Sequence, residues 1–197
     1  MTSSKSGSIY NVPNALTTAR FALAIAVIAL IPLEKYTAAV TIFLIAVSTD
    51  WMDGYWARKY GQVTKLGRIF DPFVDKIIIC GTFIALVEVP DSPVASWMAT
   101  IVVGRELLVT SLRGMIESSG GDFSANQLGK WKMVLQCGAV CAVLCSLIQP
   151  NTQWLATAGT WFLWSAIFLT VYSGYDYSVA AARMMRESSP VESKEAE

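Results

Sequence analysis

Long apolar segments and short polar segments alternate along this chain. Each apolar segment is close to the ~20 residues that an α-helix needs to cross the hydrocarbon core of a bilayer. We place these segments at residues 14–33, 37–58, 72–89, 93–116, 127–148 and 152–175. The pattern predicts an all-α integral membrane protein with six transmembrane helices in a single domain, residues 14–177. Polar segments flank this domain at residues 1–13 and 178–197, and the second is expected to be a disordered tail.

Basic residues collect on one side of the predicted spans. Because six spans return the chain to its starting side, both termini lie there, together with Lys5, Arg58, Lys59, Lys65, Arg68, Arg113, Lys130, Lys132, Arg183, Arg186 and Lys194. The loops of the other side contain only Lys35 and are punctuated by Pro32, Pro90, Pro93 and Pro150. Since cytoplasmic loops carry the excess of Lys and Arg, we predict cytoplasmic termini and a multi-pass protein of the cell (cytoplasmic) membrane.

The amino-acid composition limits the partners and the catalytic groups that this protein can use. The 197 residues are 54% hydrophobic and 15% charged, with no formal net charge, so no nucleic-acid partner is expected. Histidine is absent, which excludes imidazole as a base or metal ligand and leaves carboxylate as the natural proton acceptor. Cys137, Cys141 and Cys145 recur every four residues on an apolar segment, where small side chains favour helix packing over reactivity.

Four aspartates stand in or beside membrane-like sequence, where ionisable residues usually mark a functional site. Asp50 and Asp53 are one helical turn apart, and so are Asp71 and Asp75. Such a cluster of carboxylates is best explained by hard divalent cations, which take oxygen ligands and can clamp a phosphate. Asp71 also precedes Pro72, a favoured order for an N-cap and a first helical residue, so we expect the third helix to begin here.

The spacing D-x2-D-G-x2-A-R-x8-G-x3-D-x3-D over Asp50–Asp75 resembles the signature of the CDP-alcohol phosphotransferases, with all eight fixed positions met. The resemblance implies six transmembrane helices, usually a homodimer, and two divalent cations, Mg²⁺ or Mn²⁺. The cations would be held by Asp50, Asp53, Asp71 and Asp75, with Asp75 also the general base. Gly54, Arg58 and Thr64 would contact the CDP part of the lipid donor, and Gly67 would allow the nucleotide to approach the backbone.

The residues that select the acceptor alcohol, the second substrate, are expected to lie outside this motif. The segment from Asn11 to Arg20 looks like the N-x-P-N-x-L-T-x-x-R sequence of phosphatidylglycerophosphate synthases, which implies CDP-diacylglycerol and sn-glycerol 3-phosphate as substrates. Four basic residues are candidates for binding the acceptor phosphate: Arg105, Arg113, Lys130 and Lys132. Another acceptor, such as inositol phosphate or serine, remains open, and so does a cation or proton transporter whose aspartates line a path.

Several basic and aromatic residues have a second interpretation. Arg105 can instead pair with Glu106, and Lys130 and Lys132 can anchor to anionic headgroups of membrane lipids. Arg20 lies two turns inside the first span, where either snorkelling to the interface or a role in the site fits. Aromatic residues near the span ends, Tyr177 among them, are expected to form belts at the membrane interfaces.

Overall fold

The structure, a computed structural model, describes the backbone of residues 12–60, 65–118 and 127–188 and the side chains of most residues in these ranges. The described residues form six α-helices and no β-strand. The helices are α1 (Val12–Leu30), α2 (Tyr36–Tyr60), α3 (Lys65–Val87), α4 (Ser96–Ser118), α5 (Gln127–Ile148) and α6 (Gln153–Ser188). The all-α prediction is therefore confirmed.

The surface of the bundle is apolar over long stretches. The windows Trp131–Ile148 in α5 and Gln153–Met184 in α6 are long and apolar enough to cross a membrane, and Ala15–Leu30 and Tyr36–Thr49 are shorter apolar helices. On α6 the side chains of Trp161 and Phe168 are 71% and 73% exposed. Large apolar side chains placed outward along a helix are suited to contact with lipid.

The helices pack in two groups that share a core. In one group α1 packs against both α2 and α3, and in the other α6 packs against both α4 and α5. Contacts of α2 with α5, and of α3 with α4 and α5, join the two groups. The approach of α1 to α3 is close, because a Cβ added at Gly81 would lie 2.3 Å from Cδ1 of Ile28. The core contains buried residues of all six helices, including Val27, Phe43, Phe83, Val102, Leu144 and Leu163.

The third helix begins earlier than the sequence predicted. It starts at Lys65 and contains Pro72, so the expectation of a helix start at Asp71 and Pro72 was wrong. A proline inside a helix cannot donate the hydrogen bond to the carbonyl four residues earlier. The signal at this position therefore marks a gap in the hydrogen-bond ladder of a continuous helix. Consequently Gly67, Asp71 and Asp75 lie on one helix.

The sixth helix ends later than predicted. Residues 178–188 were expected to belong to a disordered tail, but α6 continues to Ser188. Ala180, Ala181 and Ala182 have the highest helix propensity of any residue type, and Ala181 is fully buried. Local propensity and packing therefore extend the helix beyond the apolar stretch. The remaining part of the predicted tail, residues 189–197, lies outside the described residues.

Short turns connect the helices in pairs. Residues 31–35 join α1 to α2, residues 88–95 join α3 to α4, and residues 149–152 join α5 to α6. The first two turns each contain a residue with left-handed backbone conformation, Glu34 (φ 58°) and Asp91 (φ 63°). The four prolines predicted to punctuate these connections all lie in them. The connections between α1 and α2 and between α5 and α6 have the length typical of antiparallel helical hairpins, and the helices of both pairs pack against each other.

Candidate active site between α1, α3, α4, α5 and α6

The predicted aspartate motif is carried by two helices. Asp50 and Asp53 lie one turn apart in the C-terminal part of α2, and Asp71 and Asp75 lie one turn apart in the N-terminal part of α3. Both helices pack against α1. The predicted donor-binding residues Gly54 and Arg58 are on α2 and Gly67 is on α3, whereas Thr64 lies outside the described residues, as do the side chains of Asp50, Asp53, Arg58 and Asp71.

Asp75 is the one motif carboxylate whose side chain is described. It is 28% exposed, and its Oδ1 lies 3.5 Å from Nη1 of Arg20 on α1. The Arg20 side chain is 2% exposed. Arg20 therefore does not snorkel to an interface but lies beside Asp75, the proposed base. A guanidinium buried among apolar helices needs such a counter-charge, and Asp75 supplies one.

Metal binding by the four aspartates remains a prediction. Among the described side chains, no three His, Cys, Asp or Glu residues come close enough to hold a metal ion, but only Asp75 of the four belongs to that set. The donors that the sequence offers are all carboxylate oxygens on two helices that share α1 as a neighbour. Carboxylate oxygens suit Mg²⁺ and Mn²⁺ rather than metals that prefer sulfur or imidazole, so the residues fit such cations.

A second cluster of charged groups lies where α4, α5 and α6 meet. The Glu106 carboxylate accepts hydrogen bonds through Oε1 from Nη1 of Arg105 at 3.3 Å and from Nζ of Lys132. All three side chains are about nine-tenths buried. Thus the pairing of Arg105 with Glu106, which the sequence suggested as an alternative, is present, and Lys132 on α5 joins the same carboxylate.

The sixth helix supplies the other wall of this cluster. The guanidinium carbon of Arg105 lies 5.4 Å from the ring centroid of Tyr177, within the range of a cation–π interaction. A Cβ at Gly174, one turn before Tyr177, would lie 3.1 Å from Cγ of Arg105. The absence of a side chain at Gly174 therefore lets the stem of Arg105 lie against α6. Tyr177 is 3% exposed, so its assignment to an interface belt was wrong.

Two guanidinium groups of α4 each have a buried donor that no described residue accepts. The Nε atoms of Arg105 and Arg113 are buried and have no hydrogen-bond partner within the described part of the chain. Arg113 lies two turns beyond Arg105 on α4. Buried donors without acceptors are costly, so these two atoms are candidates for contact with a bound anion. Lys130 is on α5, two residues before Lys132, but its side chain is not among those described.

Polar side chains also line the α5–α6 interface beside the cluster. Gln136, one turn after Lys132, donates from Nε2 to Oγ1 of Thr170 at 3.0 Å, and Thr170 donates to the backbone carbonyl of Ala166. Both side chains are buried. Thr170 was not among the residues predicted to belong to the site. The position of this polar residue one turn before Gly174 on an apolar helix is the feature by which the sequence could have identified it.

Residues 10–172 match the CDP-alcohol phosphatidyltransferase family, and the chain belongs to this family. The predicted resemblance is thus confirmed, and the transporter alternative has no support. The chain is 35% identical over 184 residues to the CDP-diacylglycerol–glycerol-3-phosphate 3-phosphatidyltransferase of Bacillus subtilis, covering 86% of this chain and 94% of that protein. The enzyme of the same name from Rickettsia bellii is also 35% identical, over 178 residues, covering 88% of this chain and 96% of that protein.

A solved structure has the same fold. The phosphatidylinositol phosphate synthase of Mycobacterium tuberculosis, crystallised with CDP-DAG bound, aligns with a TM-score of 0.66 over 96% of this chain and 94% of that one. A second structure of this synthase, in complex with manganese and citrate, aligns with a TM-score of 0.64 over 95% of this chain and 88% of that one. At 18% sequence identity, these matches concern the fold alone.

Proposed function

We propose that this chain transfers the phosphatidyl group of CDP-diacylglycerol to sn-glycerol 3-phosphate, producing phosphatidylglycerophosphate and CMP. The observation that carries the acceptor assignment is the buried pair of Arg105 and Lys132, together with the buried Nε donors of Arg105 and Arg113 on α4, which meet no acceptor among the described residues. Relatives named for this activity match almost their entire length at 35% identity. An acceptor that carries its own phosphate is the kind of alcohol for which such a cluster is suited.

The reaction replaces one phosphoester partner by another. The free hydroxyl of glycerol 3-phosphate attacks the phosphorus joined to diacylglycerol, a new oxygen–phosphorus bond forms, and the bond to CMP breaks. The hydroxyl proton passes to Asp75, which is half-buried and within reach of solvent. Arg20 lies beside one carboxylate oxygen of Asp75 from the side of α1 and so helps to position this carboxylate.

Asp50, Asp53, Asp71 and Asp75 are the residues that would hold two divalent cations, Mg²⁺ or Mn²⁺. When bound, such cations offset charge on phosphate oxygens and stabilise a leaving oxygen. The all-oxygen donor set and the placement of the four residues as two one-turn pairs support this assignment. The related-fold synthase described in complex with manganese is consistent with it.

The donor and acceptor are assigned to different helices. Gly54, Arg58, Thr64 and Gly67, on and between α2 and α3, are proposed to bind CDP-diacylglycerol. Arg105, Arg113, Lys130 and Lys132, on α4 and α5, are proposed to bind the phosphate of the acceptor. Because α3 contacts both α4 and α5, Asp75 stands on the helix between the two sets and can receive the proton of a hydroxyl delivered from the second.

The topology that supports this arrangement is six transmembrane spans in the cytoplasmic membrane, with both termini and the site at the cytoplasmic face. The three described turns, which contain Lys35 as their single basic residue, would lie on the opposite side. We further propose a homodimer, on the strength of the family resemblance. A cysteine-labelling assay at residues of the turns, using an impermeant maleimide on intact cells, tests the orientation.

Release of CMP by the purified full-length protein tests the function. The protein is incubated with CDP-diacylglycerol, with and without glycerol 3-phosphate and with and without Mg²⁺ or Mn²⁺. We expect release that requires both the acceptor and the metal. Release that occurs only with inositol phosphate or serine would retain the family chemistry but replace the acceptor, and release with none of the acceptors would refute the proposal.

A further inference from the structure

Glu106 is a buried carboxylate that the proposed reaction does not use. It lies in the middle of α4, and its side chain is 11% exposed. A single oxygen, Oε1, accepts hydrogen bonds from both Arg105 and Lys132. A carboxylate beside a phosphate site would repel the phosphate, so its presence there requires an explanation.

The contact between Glu106 and Lys132 links two helices whose main packing partners are others. The principal contacts of α4 are with α3 and α6, and those of α5 are with α6 and α2. Lys132 lies near the N-terminal end of α5 on a flexible four-carbon stem. Its ammonium position is therefore determined largely by the partner that it meets across the gap, which is Glu106.

Three contacts fix the position of Arg105, the other cation that Glu106 contacts. Nη1 of Arg105 is bound to Glu106, the face of its guanidinium lies over Tyr177, and its stem passes Gly174. Each contact comes from a different part of the site, so the orientation of the guanidinium is well determined. Glu106 is the one member of this set that contacts both cations.

The charges and the numbers of hydrogen-bond donors are consistent with a role of Glu106 in holding Arg105 and Lys132 in place. Two buried cations repel each other, and a carboxylate between them offsets this repulsion. The carboxylate uses one donor of each cation, whereas an ammonium has three and a guanidinium five. Nε of Arg105 is buried and meets no acceptor among the described residues. The pair thus remains able to bind an anion while Glu106 holds it in place.

We infer that Glu106 is a positioning residue that fixes Lys132 and Arg105 in the geometry required to bind the phosphate of the acceptor alcohol. This inference rests on the proposed function, because it concerns the same acceptor. It assigns a role to a carboxylate that does not itself contact the substrate. A purely structural salt bridge would instead affect the stability of the bundle and the binding of both substrates alike.

The first test is Glu106→Gln, which keeps the shape of the side chain and removes its charge. We expect the KM for glycerol 3-phosphate to rise about tenfold or more, as is usual for loss of a charge-assisted hydrogen bond. The KM for CDP-diacylglycerol should stay within about twofold of wild type, since its binding residues are elsewhere. Glu88→Gln is the matched control, because Glu88 is exposed at the turn between α3 and α4.

Two further variants separate positioning from misfolding. Glu106→Asp keeps the charge but shortens the side chain, and it should recover part of the affinity for glycerol 3-phosphate. In a Lys132→Met background, Glu106→Gln should raise this KM by less than it does in wild type, because one of the two residues through which Glu106 acts is absent. Independent, multiplicative effects of the two substitutions would overturn the inference.

The outcomes distinguish this inference from the proposed function. If wild-type protein does not use glycerol 3-phosphate, the proposed function fails before Glu106 is tested. If wild type is active and Glu106→Gln leaves the KM for glycerol 3-phosphate unchanged, or lowers it, the inference alone fails. A lowered KM would show that Glu106 competes with the phosphate for the cations. If both KM values rise by the same factor and Tm falls, Glu106 has a structural role.

Discussion

Gly174 offers a direct test of how closely the proposed acceptor site is fitted around Arg105. A Cβ at this position would lie 3.1 Å from Cγ and 4.0 Å from Cβ of Arg105. Substitution Gly174→Ala therefore requires the stem of Arg105 to move by a few tenths of an ångström. The guanidinium has little room to absorb this movement, because it is held between Glu106 and the ring of Tyr177.

The size of the effect follows from this displacement. A misplacement of about 1 Å in a reacting or binding group can reduce the rate about 10²-fold, so a few tenths of an ångström predicts a loss of roughly three- to tenfold. Stability should fall by up to about 2 kcal/mol, since the higher helix propensity of alanine, worth about 1 kcal/mol, only partly offsets an overpacking cost of about 1–3 kcal/mol.

The assay is CMP release at saturating CDP-diacylglycerol with glycerol 3-phosphate varied, together with the thermal unfolding temperature in the same detergent. We expect kcat/KM for glycerol 3-phosphate to fall several-fold, with the KM for the lipid unchanged. Gly104→Ala is the control, because an added Cβ at Gly104 on α4 meets nothing within 4 Å. If Gly174→Ala and Gly104→Ala behave alike, the packing of Arg105 against α6 does not position it, and the reasoning is refuted.

Other substitutions probe the remaining parts of the site and the bundle. Asp75→Asn should lower kcat by about 10²-fold or more while preserving the binding of CDP-diacylglycerol, measured with radiolabelled lipid; a near-normal rate would move the role of base elsewhere. Arg113→Ala should raise the KM for glycerol 3-phosphate about tenfold and more than that for the lipid, and an effect on the lipid alone would contradict the assignment. Gly81→Ala should lower the free energy of unfolding by about 1–3 kcal/mol, because the added Cβ would lie 2.3 Å from Cδ1 of Ile28. In an Ile28→Ala background the cost of Gly81→Ala should be smaller than in wild type, whereas an unchanged Tm for Gly81→Ala would show that α1 and α3 are less closely packed. Excess EDTA should abolish CMP release and added Mg²⁺ or Mn²⁺ should restore it; release in the presence of chelator would remove the metal from the proposal.

The sequence was sufficient for the secondary structure class and for the family. Apolar stretches of about 20 residues separated by prolines indicated the helices, and the motif from Asp50 to Asp75 indicated the family. The ends of the helices were harder to predict. Around Pro72 a local rule for helix starts competed with continuation of the helix, and beyond Tyr177 the polar composition obscured a helix that Ala181 stabilises by packing.

The contacts among Arg105, Glu106, Lys132 and Tyr177 could not have been predicted from sequence. Arg105 and Glu106 are neighbours in the chain, but Lys132 is 26 residues from Glu106 and Tyr177 is on another helix. Their meeting depends on how α4, α5 and α6 pack, and the sequence pattern does not determine the rotation of each helix about its axis. The same limit explains why the burial of Tyr177 was missed, since its position near a span end resembles that of exposed aromatic residues.

The length of α6 has a consequence for imaging. Its 36 residues form a helix about 54 Å long, well beyond the ~30 Å of a hydrocarbon core. Gly174 and Tyr177 lie in the second half of this helix. The segment after Tyr177 continues the same helix to Ser188 without interruption. A soluble helical protein fused in register at Ser188 would therefore be rigidly attached to the bundle. Such a fusion would give a small membrane protein a fixed feature for particle alignment, and the wall of the acceptor site would be held by the same helix.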